Sequence, residues 1–184
     1  MAKLILSMFM SLDGYVEGPN GAFIGPAWSA DMETHWANAN TARAARLLYG
    51  RTNFLFNRDF WLDPNGPAAA APHAKLMNAL PKTVVSTTLS GDVGWNGTVV
   101  RDLSAVAALK ADTDGDIQSF GGAGLADGLI RAGLIDEYVL LIMPTLFGGG
   151  RRLFRDDRAP ADLALIDSRQ FDTGAVLLRY QPAA

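Results

Sequence analysis

The stretch DIQSFGGAGLADGLIRAGLIDEYVLLIMP (116–144) decides the reading of the fold. Residues 116–120 (DIQSF) read as a strand, Gly121-Gly122 as a turn, and 123–133 as a helix that ends at Gly133. Residues 136–143 (DEYVLLIM) follow as a long apolar strand that stops at Pro144. An unbroken apolar run of this kind marks a central strand covered on both faces. Strand, glycine turn, helix and buried strand in that order make one unit of an α/β sheet.

Working toward the C-terminus, Gly148-Gly149-Gly150 permits a tight reversal, and strands at about 162–168 and 174–181 close the chain as a hairpin. Toward the N-terminus, residues 3–12 form an apolar strand, Asp13-Gly14 a turn, and 18–27 a Gly/Pro-rich loop. A helix is expected from Asp31 to Tyr49, with Met32, Trp36, Ala39 and Leu47 on one face and Gly50 as its C-cap. Residues 53–57 suit a short strand, 63–72 a surface loop, and 73–80 a short helix. Strands follow at 82–88 and 95–100, and Asp102 caps a helix over 103–111. The pattern predicts an α/β protein with a mainly parallel central sheet and an antiparallel C-terminal hairpin, in a single domain spanning 1–184.

The composition narrows the function classes. Hydrophobic residues make up 49% of the 184, charged residues 19%, and the formal net charge is -3. Lys and Arg are scattered, with Arg151, Arg152 and Arg155 as the nearest to a cluster, so no nucleic-acid partner is expected. There are no cysteines, which excludes disulfides and thiol nucleophiles. His35 and His73 are far apart and have no ligand-like neighbours, so no metal site is expected. No apolar run reaches the roughly 20 residues that span a bilayer. The expectation is a cytoplasmic protein with a small-molecule substrate and no membrane partner.

Three short segments could receive phosphate. In IQSFGGAGL (117–125), Gly121, Gly122, Ala123, Gly124 and Leu125 lie between a buried strand and a helix, where bare N–H groups and the helix dipole favour an anion. Gly50-Arg51-Thr52-Asn53 offers a forked cation with hydrogen-bonding neighbours. Ser86 and Thr87 end a strand with two hydroxyls. Together they suit a crevice for a phosphorylated dinucleotide. Each also has a structural reading: tight βα packing, a helix cap and turn formation. Asp13, Glu17 and Asp31 are the acids considered for moving a proton. Asp31 follows Trp28, which could supply an apolar pocket, yet an acid in a first helical turn also simply stabilises the dipole. Trp28, Trp36, Phe60 and Trp61 could stack on a ring substrate or pack internally.

The chain resembles the dihydrofolate-reductase-like proteins that share a fold with the reductase domain of bacterial riboflavin biosynthesis. The resemblance rests on MSLDGYVEGPNG (10–21), YGRTNF (49–54), KTVVSTTL (82–89), FGGAGLADGLIRAGLIDEY (120–138) and PTLFGGGRRLF (144–154). It implies a three-layer α-β-α sandwich, an NADPH-dependent reductase and a homodimer. It also implies hydride transfer to a small heterocycle, pterin-like or a riboflavin precursor. The rival is a nucleotide-binding or interaction module of the same fold without activity. By position, Gly50 and Arg51 would meet the adenosine phosphate or pyrophosphate. Ser86 and Thr87 would hold the 2′-phosphate, and Gly121 to Leu125 would cradle the pyrophosphate. Asp13, Gly14 and Trp28 would rim the nicotinamide and substrate. The chain has Asn53 where the family usually has Thr. Dihydrofolate reductases place an acid five residues after a Trp near the first helix. Asp31, the acid expected to be catalytic here, follows Trp28 by three.

Overall fold

The computed structural model describes residues 2–36, 41–157 and 159–183. In chain order the elements are β1 (Leu4–Ser11), β2 (Tyr15–Glu17), α1 (Ala30–Trp36), β3 (Ala44–Gly50), α2 (Arg51–Leu62) and α3 (Ala74–Ala79). There follow β4 (Lys82–Val85), β5 (Gly97–Val100), α4 (Leu103–Asp112), β6 (Asp116–Ser119) and α5 (Ala123–Arg131). The chain ends with β7 (Glu137–Met143), β8 (Arg151–Arg152), β9 (Leu163–Gln170) and β10 (Val176–Pro182). Eight strands form one sheet in the order β5-β4-β3-β6-β1-β7-β10-β9, and β2 pairs with β8 separately. Strands β5 through β7 in that order run parallel. β10 is antiparallel to β7 and to β9.

Side-chain alternation along β1 builds the layers. Leu4, Leu6 and Met8 pack with Val106 of α4 and with Ala126 and Leu129 of α5. Ile5 faces the other way, toward Met32 and Trp36 of α1. On β3, Leu47 and Tyr49 meet Phe54 of α2 and Met77 of α3, whereas Leu48 joins the α4/α5 side. Helices therefore cover both faces, which is the expected three-layer arrangement. Each fully buried Leu contributes about 1.5–3 kcal/mol to that core.

Buried charged side chains find partners. Glu137, 2% exposed, accepts from Arg179 Nε at 3.0 Å and Nη2 at 2.5 Å. Lys82 donates to the Met77 carbonyl at 2.5 Å and the Asn78 carbonyl at 3.2 Å, closing the C-terminus of α3. It also lies 4.2 Å from the centroid of the Trp95 ring. Burial pulls its amine down to about 8.

The segment after α1 differs from the expected helix over 31–49. The described helix ends at Trp36, Ala39 lies outside the described residues, and the chain is a strand from Ala44 to Gly50. The expected strand at 53–57 is instead part of α2. The cause is tertiary. β3 lies between β4 and β6 and is buried on both faces, so Leu47, Leu48 and Tyr49 carry no alternation. Gly50 is consequently the residue before a helix, not the cap after one.

Candidate functional site

The sheet order reverses between β3 and β6. The connection from β3 through α2 runs toward one edge, and that from β6 through α5 runs toward the other. Open α/β sheets bind ligands at this kind of switch point, beyond the carboxyl ends of the strands. The two helix starts are locked together there. Gly50 N–H donates to the Gly121 carbonyl at 3.1 Å, and Asn53 Nδ2 donates to the Phe120 carbonyl at 2.8 Å. A Cβ on Gly122 would lie 3.7 Å from the Asn53 Cβ. Both helices begin after a glycine, so no side chain caps their first-turn N–H groups. α4 shows the contrast: its Asp102, as expected, accepts from Ser104 N at 3.0 Å and Ala105 N at 3.1 Å. α2 and α5 thus present adjacent, uncapped positive ends.

Glycine is required in this turn. Gly121 has φ +77, and a Cβ on it would lie 2.5 Å from Met8 Sδ. Gly124 faces open space, while Ala123 is buried and Leu125 half-buried. Arg51, the first residue of α2, is exposed and forms no hydrogen bond or ion pair with the described residues. Val85 pairs with Gly50 across β4 and β3, so Ser86 and Thr87 emerge beside Arg51. The buried Ser86 hydroxyl accepts from Thr88 N at 3.2 Å and Leu89 N at 3.0 Å, which makes it a turn former. Thr87 is exposed on that turn.

From the helix starts, at Thr52, Asn53, Gly122 and Ala123, opens a cleft of about 590 Å³. Phe23, Trp28, Phe56 and Phe60 wall it together with Trp36 and Trp61. Its ionisable lining groups are Glu17, Glu33 and His73. Glu17 pairs with Arg151 at 3.5 Å. The Glu33 carboxylate has no hydrogen-bond or ion-pair partner among the described residues. His73 Nδ1 is buried and also unpartnered, with the Trp61 ring 5.2 Å away. Burial holds this imidazole below its ordinary value, against the opposing pull of Glu33.

The structure does not bring Asp31 into this cleft. Its carboxylate accepts from Arg169 Nη2 at 2.6 Å and is 47% exposed. Successive helical residues turn by about 100°, so residues two apart face in nearly opposite directions. Glu33 therefore lines the cleft where Asp31 cannot. The signal for it was in the sequence, since Glu33 stands five residues after Trp28. Asp13 and Gly14 do not line the cleft either; they form the turn that carries Val16 and Glu17 to it. The Asp13 carboxylate accepts from Phe147 N at 3.0 Å and Gly148 N at 2.8 Å. The Ser11 hydroxyl, with those two amides, holds it at about 2, so this acid is a clamp that stays charged near neutral pH. Trp28 does rim the cleft, edge-on to Phe9 at 5.7 Å.

A second cleft, of about 620 Å³, adjoins the start of α5 at Ala123 and Gly124. It is lined by Arg151, Arg152 and Arg155 with Asp127, Asp156 and Asp157. Gly150, at φ +121, closes it against β2, where a Cβ would collide with the Glu17 carbonyl oxygen.

The family model described as the RibD C-terminal domain matches residues 2–177. The uncharacterized protein YyaP of Bacillus subtilis (strain 168) is 30% identical over 181 residues, which is 97% of this chain and 94% of that one. Among solved structures, a candidate riboflavin biosynthesis protein of Shewanella sp. PV-4 has a TM-score of 0.76 at 22% identity, over 100% of both chains. A pyrimidine reductase-like protein of Corynebacterium diphtheriae has a TM-score of 0.70 at 15% identity, over 100% of this chain and 92% of that one. A diaminohydroxyphosphoribosylaminopyrimidine deaminase/5-amino-6-(5-phosphoribosylamino)uracil reductase of Thermotoga maritima has a TM-score of 0.69 at 13% identity, over 99% of this chain and 57% of that one. These structural likenesses bear out the expected fold.

Proposed function

The chain belongs to the RibD C-terminal domain family, and from that premise we propose that it is an NADPH-dependent reductase acting on a small heterocyclic substrate. The observation that carries the reading is the pair of uncapped helix starts opening directly onto an aromatic cleft. The N–H groups of Gly122, Ala123, Gly124 and Leu125, with those of Arg51 to Asn53, fit a pyrophosphate. Arg51 lies in the open beside Thr87 and Ser86 and fits the extra phosphate that separates NADPH from NADH. When bound, the cofactor supplies a hydride.

The chain's own residues supply the rest. Trp28, Phe56 and Phe60 hold a flat ring and exclude water from it. Glu33 faces that space unpaired and relays from solvent the proton that must accompany the hydride. His73, facing the same cleft with a free buried Nδ1, is its partner in that task. We also propose a homodimer. Edge strand β9 exposes Leu163, Leu165 and Ile166, an apolar strip that a second copy would cover.

The test is a titration of NADPH and NADH against the wild type and Arg51→Ala. Loss of a charge-assisted phosphate contact costs about 1.5–3 kcal/mol. That is roughly a 10–150-fold weakening for NADPH, with little change for NADH. Absence of binding for either nucleotide refutes the reading.

A further inference from the structure

Phe23, Trp28, Phe56 and Phe60 are 62%, 49%, 50% and 38% exposed, and all four line the same cleft. Rings left in water at this density mark a binding surface. Phe56 and Phe60, one turn apart on α2, lie nearly parallel, with centroids 6.4 Å apart and planes at 8°. Phe23 continues this wall at 5.6 Å from Phe56. Trp28 and Trp36 stand edge-on to each other at 6.4 Å and line the cleft as well. Such a wall fits the face of a flat aromatic ring.

The charges in the cleft have one sign. Its ionisable lining groups are Glu17, Glu33 and His73, and no Lys or Arg is among the described lining residues. The imidazole, held low by burial, brings no lasting positive charge near neutral pH. Arg51, next to the lining residue Thr52, is the cation assigned above to the cofactor's phosphate, and the arginines of the neighbouring cleft each already have a partner. Arg151 is paired with Glu17, Arg155 with Asp157 at 3.8 Å, and Arg152 lies 4.7 Å from the Tyr15 ring centroid. Beyond the helix starts assigned to the cofactor, a phosphate on the substrate would therefore meet Glu33 with no side-chain cation to offset it.

We propose that this aromatic, carboxylate-lined cleft takes a planar nitrogen heteroaromatic without a phosphate, and that it rejects phosphorylated substrates. The inference rests on the reductase reading for the identity of the cleft. It separates this chain from the Thermotoga maritima protein, whose name specifies a phosphoribosyl substrate.

The experiment compares 6-hydroxymethylpterin with its phosphate monoester, and with 5-amino-6-(5-phosphoribosylamino)uracil, by quenching of the tryptophans in the cleft. The expected result is at least tenfold tighter binding of 6-hydroxymethylpterin than of either phosphorylated compound. Glu33→Gln should narrow that gap by tightening the phosphate ester. Phe60→Arg, which places a cation in the cleft, should narrow it further or reverse it. Equal or tighter binding of a phosphorylated compound by the wild type overturns the inference, as does binding of none of the three. An NADPH titration on the same sample reports separately on the reductase reading. A sample that binds NADPH yet prefers the phosphorylated compounds refutes only the substrate assignment.

Discussion

Replacing Gly121 by alanine probes the turn that aims the start of α5. The native backbone has φ +77, where an L side chain costs about 1–2 kcal/mol. The new Cβ would lie 2.5 Å from Met8 Sδ and 2.9 Å from Met8 Cε. Met8 is 8% exposed and packed in the core beneath α5, so moving it costs a further ~1–3 kcal/mol. The sum, about 2–5 kcal/mol, should lower the urea midpoint by about 1–2 M. NADPH affinity should fall in parallel, because the displaced turn no longer presents the N–H groups of residues 122–124. Met8→Ala separates the two causes. Alone it costs about 2–5 kcal/mol as a core truncation. Combined with Gly121→Ala it removes the collision but not the backbone strain. The double variant should therefore be more stable than the sum of the singles by about 1–3 kcal/mol. A Gly121→Ala protein within ~0.5 kcal/mol of wild type refutes the reasoning. Strict additivity in the cycle refutes the collision alone.

Four further outcomes follow from the geometry. Glu33→Gln should lower turnover of a reducible pterin about 10²–10⁴-fold, whereas Asp31→Asn should leave it within a few-fold; stopped-flow oxidation of NADPH distinguishes them. Arg179→Leu leaves the buried Glu137 carboxylate only the half-exposed Lys3, at 4.0 Å, and should cost about 3 kcal/mol in urea unfolding, most of it recovered when Glu137→Leu is added. Lys82 holds its proton less tightly folded, at about 8, than unfolded, at 10.5. Its destabilising contribution is full below pH 8 and fades as pH rises toward 10.5. Stability relative to a Lys82→Met protein should therefore climb by about 3 kcal/mol across that window, read by urea melts at stepped pH. Leu165→Lys with Ile166→Lys on edge strand β9 should convert a dimer to monomers in sedimentation equilibrium; an unchanged mass places the dimer seam elsewhere.

The parts of the fold that were legible in the sequence are those where local chemistry and tertiary context agree. β7 is an apolar run stopped by Pro144, α4 is announced by Asp102, and α5 lies between Gly122 and Gly133. The reading failed where they conflict. AARLLYG (44–50) opens with five good helix formers, yet it is a central strand whose pairing with β4 and β6 overrides propensity. NFLFN looks like a strand because of its phenylalanines, but Phe54 faces the core and Phe56 the cleft from one helix. The glycine turn before α5 was visible because its conformation is written in backbone geometry, with Gly121 at φ +77. Glu33 was missed although its spacing of five residues from Trp28 pointed to it, and the pairing of Asp31 with Arg169 of β9, a tertiary contact, is what takes the expected acid out of the cleft.

The turn after β1 and the segment around β8 are tied at many points, among them Asp13 to the Phe147 and Gly148 amides, Arg152 to Asp13 and Tyr15, Glu17 to Arg151, and Gly150 against the Glu17 backbone. These two stretches lie more than a hundred residues apart in the chain, yet neither can be altered alone. An insertion in one would pull the carboxylate of Asp13 away from its amides in the other. Grafting a substrate loop from a relative would succeed only if residues 11–18 and 145–152 were exchanged together. Natural variation in this region should accordingly be inherited in matched pairs, with the glycine at 150 held fixed while the side chains around it drift.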